Sequence, residues 1–290
     1  MTKLYALTKR NFKEIIRDPL SLIFCLLFPV FMLVLMRIIF KSMPDVPANF
    51  TLENYSAGIC VFGFTFLTLF CCNLIASDKN TEFINRIRVA PVKKITVLSS
   101  YFFALVPVAF LQKILFFAIA AIFGLRIDLN LLIAFIYLIP SEVFYILTGI
   151  LIGSIAKNEK QGAPFASIIV TVTGMFGGVF MPVETMGGFY KIVKVLPFVH
   201  TVKPAAEALS GNFAGIFPHI LWILGYGIIV AATTFIINRK KQNACYLIKH
   251  IKNSAAKRSF LFNSIFTNHA KSADFYFTRQ CSGLRCCLRF

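Results

Sequence analysis

Long apolar runs constrain this chain more than any other feature of its sequence. The run 216–237, like several others, exceeds the roughly 18 residues that a helix needs to cross about 30 Å of hydrocarbon. Backbone amides inside a bilayer must be hydrogen-bonded within the protein, so segments that are apolar on all sides have to be helical there. With 58% hydrophobic and 14% charged residues, the composition excludes an ordinary soluble domain. We therefore predict an all-α integral membrane protein.

The apolar runs divide the chain into a transmembrane domain, residues 1–241, and a basic C-terminal tail, residues 242–290. Six transmembrane helices are predicted in the first part, at 20–40, 56–76, 95–123, 131–155, 162–181 and 216–237. The tail has 8 basic residues and the single acid Asp274, and we expect it to be unstructured. It is either a segment held near anionic lipid or an appended end without a role.

Residues 4–17 predict an amphipathic helix ahead of the first span. At about 100° per residue, apolar side chains such as Leu7 and Ile15 fall on one face and basic ones such as Arg10 on the other. This pattern is typical of a helix that lies in the headgroup plane, with its cations toward anionic lipid. Asp18 and Pro19 end it.

The distribution of basic residues predicts the orientation. With the N-terminus inside, the inner connections hold 15 Lys and Arg residues and the outer ones hold 5. Cytoplasmic loops carry the excess of Lys and Arg, so we place both termini on the cytoplasmic side. We expect the membrane to be the cell (plasma) membrane. That arrangement requires an even number of spans, which six satisfies.

Other functional classes find little support in the sequence. The net charge of +18 lies between the spans, so no nucleic-acid partner is expected. The chain lacks the common metalloprotease, nucleophile-elbow and phosphate-loop motifs, and its four histidines do not cluster in sequence. The cysteine pairs lack the spaced partners of a zinc site. We expect no catalytic residue, metal or cofactor on this chain, and any ATP used in transport would be bound by another chain.

Lys113 and Glu142 are the most informative polar residues within the spans. They lie 14 and 15 residues from the turn between spans three and four, taken as centred near Ile127, and so match in depth. Unpaired charges are costly at that depth, so we predict an intramembrane ion pair or shared hydrogen-bond site with Gln112 close by. It is either a polar point on a substrate or proton path or a pair that fixes the register of the hairpin.

Two connections have patterns of their own. Residues 78–91, between spans two and three, predict a short amphipathic helix that Pro91 stops, which is either a solvated loop or a docking surface for a cytoplasmic partner. After span five, a glycine-rich stretch leads through Pro182 and Glu184 to two short amphipathic elements. We expect these elements to form a cap or a re-entrant pair on the outer side.

The order of these features resembles the permease subunits of type 2 ATP-binding-cassette (ABC) exporters. The matching stretches are loose patterns, and their order and spacing carry the resemblance over about residues 1–241. They are Arg10 to Pro19, Arg88-Val89-Ala90-Pro91-Val92, Gly149 to Lys160, Gly177-Gly178-Val179-Phe180-Met181-Pro182-Val183-Glu184, Leu196-Pro197-Phe198, and Pro204 to Gly211. The long tail departs from the family.

The resemblance implies a homodimer or heterodimer of permeases over two separate ABC ATPase subunits, which would bind ATP and Mg. A path lined by spans one, two and five would switch from inward-facing to outward-facing. The implied ATPase contact comprises Glu82, Asn85, Arg86, Arg88 and Pro91, and the implied outer gate includes Gly177, Gly178, Pro182 and Glu184.

Two other classes stay open. A stand-alone channel or a proton-coupled secondary transporter would use Lys113 and Glu142 for coupling, although no inverted repeat is visible. A polytopic membrane enzyme would need clustered catalytic residues that face one cavity.

Overall fold

Helices are the only regular secondary structure in the described part of this chain, as the all-α prediction requires. The structure is a computed structural model that describes residues 2–42, 51–90, 92–180, 187–188, 190–213 and 215–240. Its helices are α1 (Thr2–Arg17), α2 (Pro19–Lys41), α3 (Leu52–Asp78), α4 (Glu82–Val89), α5 (Lys94–Ile122), α6 (Leu129–Ile155), α7 (Glu159–Phe176), α8 (Tyr190–Val193), α9 (Pro197–Leu209) and α10 (Ile216–Lys240). The predicted tail, 242–290, lies outside the described residues.

Within the described ranges, five helices are long and apolar enough to cross a membrane: α2, α3, α5, α6 and α10. They correspond to predicted spans one, two, three, four and six. The predicted fifth span corresponds to α7, which is not among the five because its first turn carries Glu159, Lys160 and Gln161. The described part of the chain thus has the long apolar helices of a multi-pass membrane protein.

The chain divides into two compact units, residues 1–234 and residues 235–290. The first holds α1 to α9 and most of α10, and it contains the main apolar core. Of the second, the described residues are 235–240, the last residues of α10.

Side-chain caps explain where three of the helices begin. Asp18 accepts a hydrogen bond from the backbone N–H of Ser21, and with Pro19 it separates α1 from α2. Asp128 caps α6, and Asn158 caps α7 in the same way. A capping oxygen satisfies one of the amides that a helix start leaves unpaired. The predicted amphipathic helix therefore ends at Arg17, as its sequence indicates.

α3 is the central helix and the most buried of the five candidate spans. Glycines let α6 and α7 approach it closely. A Cβ at Gly149 would lie 2.8 Å from the Thr68 backbone oxygen, and one at Gly162 would lie 2.8 Å from the Cys72 sulfur. Small residues at helix contacts permit such backbone approach in membranes, so α3 forms a tightly packed centre with α6 and α7.

Two short helices, α8 and α9, connect α7 to α10, which agrees with the two short elements expected there. α9 is tied to α6 by polar contacts. The Ser141 hydroxyl donates to the Thr201 carbonyl oxygen at 3.0 Å, and the Tyr145 and Thr201 hydroxyls lie 3.1 Å apart.

Gly149→Ala tests the contact between α3 and α6. The added methyl group has no room beside Thr68, and overpacking of this kind typically costs about 1–3 kcal/mol. We expect a lower apparent melting temperature for the purified chain in detergent. Gly227→Ala is the matched control, because nothing lies within 4 Å of a Cβ there. Equal melting temperatures for the two variants would contradict the close approach.

Candidate functional site: a polar junction beside a short surface helix

A buried carboxylate joins three helices at one end of the helical core. Asp78 is the last residue of α3, and its side chain is only 5% exposed. Arg10 of α1 donates two hydrogen bonds to it, at 2.5 and 2.8 Å, and the Tyr101 hydroxyl of α5 donates a third at 2.5 Å. We call Arg10, Asp78 and Tyr101 the Asp78 junction. A bidentate arginine with a further donor is among the strongest ways to hold a buried carboxylate.

The raised pKa of Arg10 reflects its pairing with Asp78. Partial burial disfavours the charged guanidinium, but the hydrogen bond and the negative charge of Asp78 outweigh it and raise the pKa of Arg10. Arg10 also lies 3.8 Å from the centre of the Phe83 ring of α4, a cation–π contact. The junction therefore reaches α4 as well as α1, α3 and α5.

Neighbouring polar contacts extend the junction to α6. Lys79, the residue after Asp78, donates to the backbone oxygens of Gly153, Ser154 and Ala156, at 2.7, 3.0 and 2.5 Å. A cation at these carbonyls complements the partial negative charge of a helix C-terminus. The last turn of α3 is thus fixed to α1, α5 and α6 just before the chain enters α4.

α4 presents one apolar and one charged face, as its sequence predicts. Ile84 and Ile87 are buried, whereas Glu82 and Arg86 are 89% and 83% exposed and lie 3.7 Å apart. Of the other residues expected at the ATPase contact, Asn85 and Arg88 belong to α4 and Pro91 lies outside the described residues. The exposed face leaves α4 available for a partner.

A cavity of about 350 Å³ opens beside the Asp78 junction, between the α1–α2 corner, α3 and the start of α7. Most of its surface is polar. It is lined by Glu14, Arg17, Asp18, Ser21, Phe70, Asn73, Leu74, Ser77, Asp78, Thr81 and Glu159.

Aromatic rings pack together between α2, α3 and the segment after α7, at a part of α3 farther from α4. Phe180 packs edge-on against Phe62, with ring centroids 5.1 Å apart, and Phe28 of α2 lies 4.6 Å from Phe66. Each ring touches an element that also borders the polar cavity. The polar cavity and these aromatic contacts therefore lie along the same helices, with the rings nearer the middle of α3.

Gly177 and Gly178, expected at the outer gate, lie where α7 ends. Gly178 has a φ of +79°, a conformation that glycine adopts without strain, and it turns the chain toward Phe180. A Cβ on Gly174 would lie 2.9 Å from the Phe180 ring. Pro182 and Glu184 lie outside the described residues.

Lys113 and Glu142 lie together within the core. The Lys113 nitrogen is 2.6 Å from a Glu142 carboxylate oxygen, and the two side chains are 1% and 6% exposed. The Phe135 ring faces the ammonium group at 4.5 Å. The neighbouring Gln112 is buried beside Pro29 and Gly63, where α5 meets α2 and α3, and its amide has no hydrogen-bond partner among the residues that the structure describes. The pair thus links α5 to α6, and Gln112 faces the other way.

The sequence did not indicate the Asp78 junction. Arg10 and Asp78 are 68 positions apart, and both belong to charged stretches of the kind that ordinary loops carry. The sequence signal that could have indicated the junction is an acidic residue directly at the end of an apolar run. Such a carboxylate needs a cation if the helix end is buried. His200 and His219, which do not cluster in sequence, also meet in the structure.

The helices, the paired charges in the core and the polar cavity define a multi-pass membrane protein. Residues 2–212 match the family model of the ABC-2 type transporter, and the chain belongs to that family. It is 24% identical over 247 residues to the proposed transport permease ycf38 of Cyanophora paradoxa, covering 81% of this chain and 83% of that protein. No solved structure matches it significantly. The family and the relative support a transport permease rather than an enzyme.

A double-mutant cycle tests the Asp78 junction. Arg10→Gln leaves a buried carboxylate without its cation, which costs about 3–5 kcal/mol in comparable pairs. Asp78→Asn costs less because Arg10 is partly exposed and can be rehydrated. We expect apparent melting temperatures in the order wild type, Asp78→Asn, Arg10→Gln, with the double variant more stable than the sum of the single effects predicts.

The exposed Glu82–Arg86 pair is the control for that cycle, because surface pairs contribute about 0–1 kcal/mol. Arg86→Gln should leave the melting temperature nearly unchanged. Strictly additive effects at Arg10 and Asp78 would contradict a coupled pair.

Proposed function

We propose that this chain is the transmembrane permease subunit of an ABC exporter, driven by separate ATPase subunits that dock on α4. The observation that carries the proposal is the Asp78 junction, which ties the last turn of α3 to α1 directly before α4 in a chain of the ABC-2 type transporter family. The partner ATPases bind ATP and Mg, and a second permease completes the path as a homodimer or heterodimer.

The junction suggests how ATPase movement reaches the spans. An ATPase that closes on ATP displaces α4 through the exposed Glu82 and Arg86. Asn85, Arg88 and the following Pro91 are proposed to complete this contact. Because Asp78 and Lys79 hold the end of α3 to α1, α5 and α6, these elements move together. Packed elements of this kind shift as units between discrete arrangements.

The substrate path in this proposal runs between α2, α3 and α7, which serve as spans one, two and five. The polar cavity beside the junction is its inner mouth. The contact of Phe180 with Phe62 and the turn at Gly177 and Gly178 belong to its outer gate in this proposal. Pro182 and Glu184, which lie outside the described residues, are proposed to belong to the same gate. In this proposal, the polar cavity beside the junction and the packed rings farther along α3 correspond to an inward-facing state.

Six spans, with α7 as the fifth, place both chain termini on the cytoplasmic side of the plasma membrane. The excess of Lys and Arg on the α4 side supports this orientation. α1 then lies in the headgroup plane as an elbow helix, and α8 and α9 form the re-entrant pair on the outer side. Membrane lipid is a partner of the amphipathic α1.

The buried ion pair keeps a second function open, that of a channel or proton-coupled transporter with Lys113 and Glu142 as the coupling groups. Their direct contact and the facing Phe135 ring also suit a pair that fixes the α5–α6 register. The two functions differ in whether an ATPase accompanies the chain.

Purification of the tagged chain from its native cells in mild detergent tests the exporter proposal. We expect a stoichiometric ABC ATPase by mass spectrometry, lost when Glu82, Arg86 and Arg88 are all replaced by alanine at unchanged expression. The control is Lys41→Gln with Arg126→Gln, which removes exposed charges at the far ends of α2 and α5. Repeated recovery of the intact chain without an ATPase would favour the gradient-driven alternative.

A further inference from the structure

Aromatic and imidazole rings join α9 to the start of α10, away from the proposed path. The Nδ1 atoms of His200 and His219 lie 2.6 Å apart, and His200 Nε2 donates to the Lys194 carbonyl oxygen at 2.9 Å. The Trp222 ring stacks on His200, with centroids 5.3 Å apart and planes within 5°. Tyr226 stacks on Trp222, and its hydroxyl donates to the Val195 carbonyl oxygen at 2.7 Å. These contacts fix the segment 194–195 against α10.

Positive charge is concentrated around these rings of α9 and α10. Lys194 belongs to the fixed segment, and Lys203 follows His200 by about one helical turn of α9. Burial lowers the pKa of His200, and the charges of Lys203 and Lys194 lower it further, against the effect of the hydrogen bond to the Lys194 carbonyl oxygen. Glu207, one turn farther along α9, offsets part of the Lys203 charge. The N-terminus of α10 adds a partial positive charge, so the region suits an anion.

An apolar groove runs along α10 from this basic region. It has a volume of about 450 Å³ and is lined by Pro218, Leu221, Trp222, Gly225, Tyr226 and Ile229. From Pro218 to Ile229 the helix rises about 17 Å, which is close to half of the roughly 30 Å hydrocarbon core. Gly225 keeps the groove open, because nothing lies within 4 Å of a Cβ there. The groove has the length of one lipid leaflet.

We propose that this face of α10 binds an anionic phospholipid of the surrounding membrane, with its phosphate at Lys194 and Lys203 and an acyl chain in the groove. The basic region and the groove are continuous through Trp222, which touches His200 and also lines the groove. A lipid with a net negative headgroup complements these lysines, whereas the positive group of a zwitterionic headgroup opposes them. Each lysine near a membrane surface favours anionic lipid about fivefold.

Trp222 is the chain's only tryptophan and therefore a built-in probe of the groove. The full chain is reconstituted in phosphatidylcholine vesicles that contain a low mole fraction of lipid brominated on its acyl chains, either phosphatidylglycerol or phosphatidylcholine. Bromine quenches tryptophan fluorescence on contact, and a Trp222→Phe sample supplies the background. We expect brominated phosphatidylglycerol to quench several-fold more than brominated phosphatidylcholine at equal mole fraction.

Two variants test the parts of the site separately. Lys194→Gln with Lys203→Gln should bring the quenching by the two lipids to the same level, whereas the control Lys41→Gln with Arg126→Gln should keep the preference. Gly225→Leu fills the groove and should lower the quenching by phosphatidylglycerol while both lysines remain. Equal quenching by the two lipids in the wild-type chain would overturn the proposal, as would a preference that persists without Lys194 and Lys203.

Discussion

The carboxylate of Asp78 is buried at the end of the central helix, α3. Its negative charge needs partners there, and this need determines how the helices at that end of the protein are arranged. An uncompensated charge there would cost several kcal/mol, so the bidentate contact with Arg10 and the Tyr101 hydroxyl are conditions for this fold. They require α1 and α5 to meet the end of α3. The position of α4 depends on the same contacts, because it starts four residues after Asp78 and packs Phe83 under Arg10.

The protein has a tightly packed centre and a more open region beside it. Glycines bring α6 and α7 against α3, and the Lys113–Glu142 pair joins α5 to α6, so the centre offers little freedom for relative movement. The polar cavity lies instead where α2 and the start of α7 border α3, and Phe180 packs against Phe62 farther along α3. Aromatic contacts can separate without leaving unpaired charges, whereas the Asp78 junction cannot. A path that opens and closes is therefore best placed where α2 faces the packed α3 and α7.

Local patterns in the sequence predict much of this architecture. Apolar length identifies five candidate spans, Asp18 and Pro19 mark the break between α1 and α2, and helical spacing predicts α4. Even the meeting of Lys113 with Glu142 follows from sequence, because the two residues lie nearly the same number of positions from one turn. α7 is a different case, since hydropathy alone does not separate a span with a polar first turn from a shorter helix.

Contacts between distant segments carry no comparable local signal. Arg10 and Asp78 meet only because α3, α1 and α5 pack in one arrangement, and no periodicity relates them. The approach of His200 to His219 depends in the same way on how α9 meets α10. Of the candidate site, the surface helix α4 could thus be predicted from the sequence. The Asp78 junction, which connects α4 to the spans, could not.

Labelling of a cysteine introduced at Ser21, in the purified complex with the ATPase, tests whether the Asp78 junction transmits ATPase movement to the polar cavity. The cavity is lined by Ser21, and labelling by a charged maleimide is read by peptide mass spectrometry. We expect a non-hydrolysable ATP analogue to protect Ser21→Cys from the label, and the added Asp78→Asn substitution to abolish this protection while the ATPase stays bound. Protection that is unchanged by Asp78→Asn would rule out transmission through the Asp78 junction.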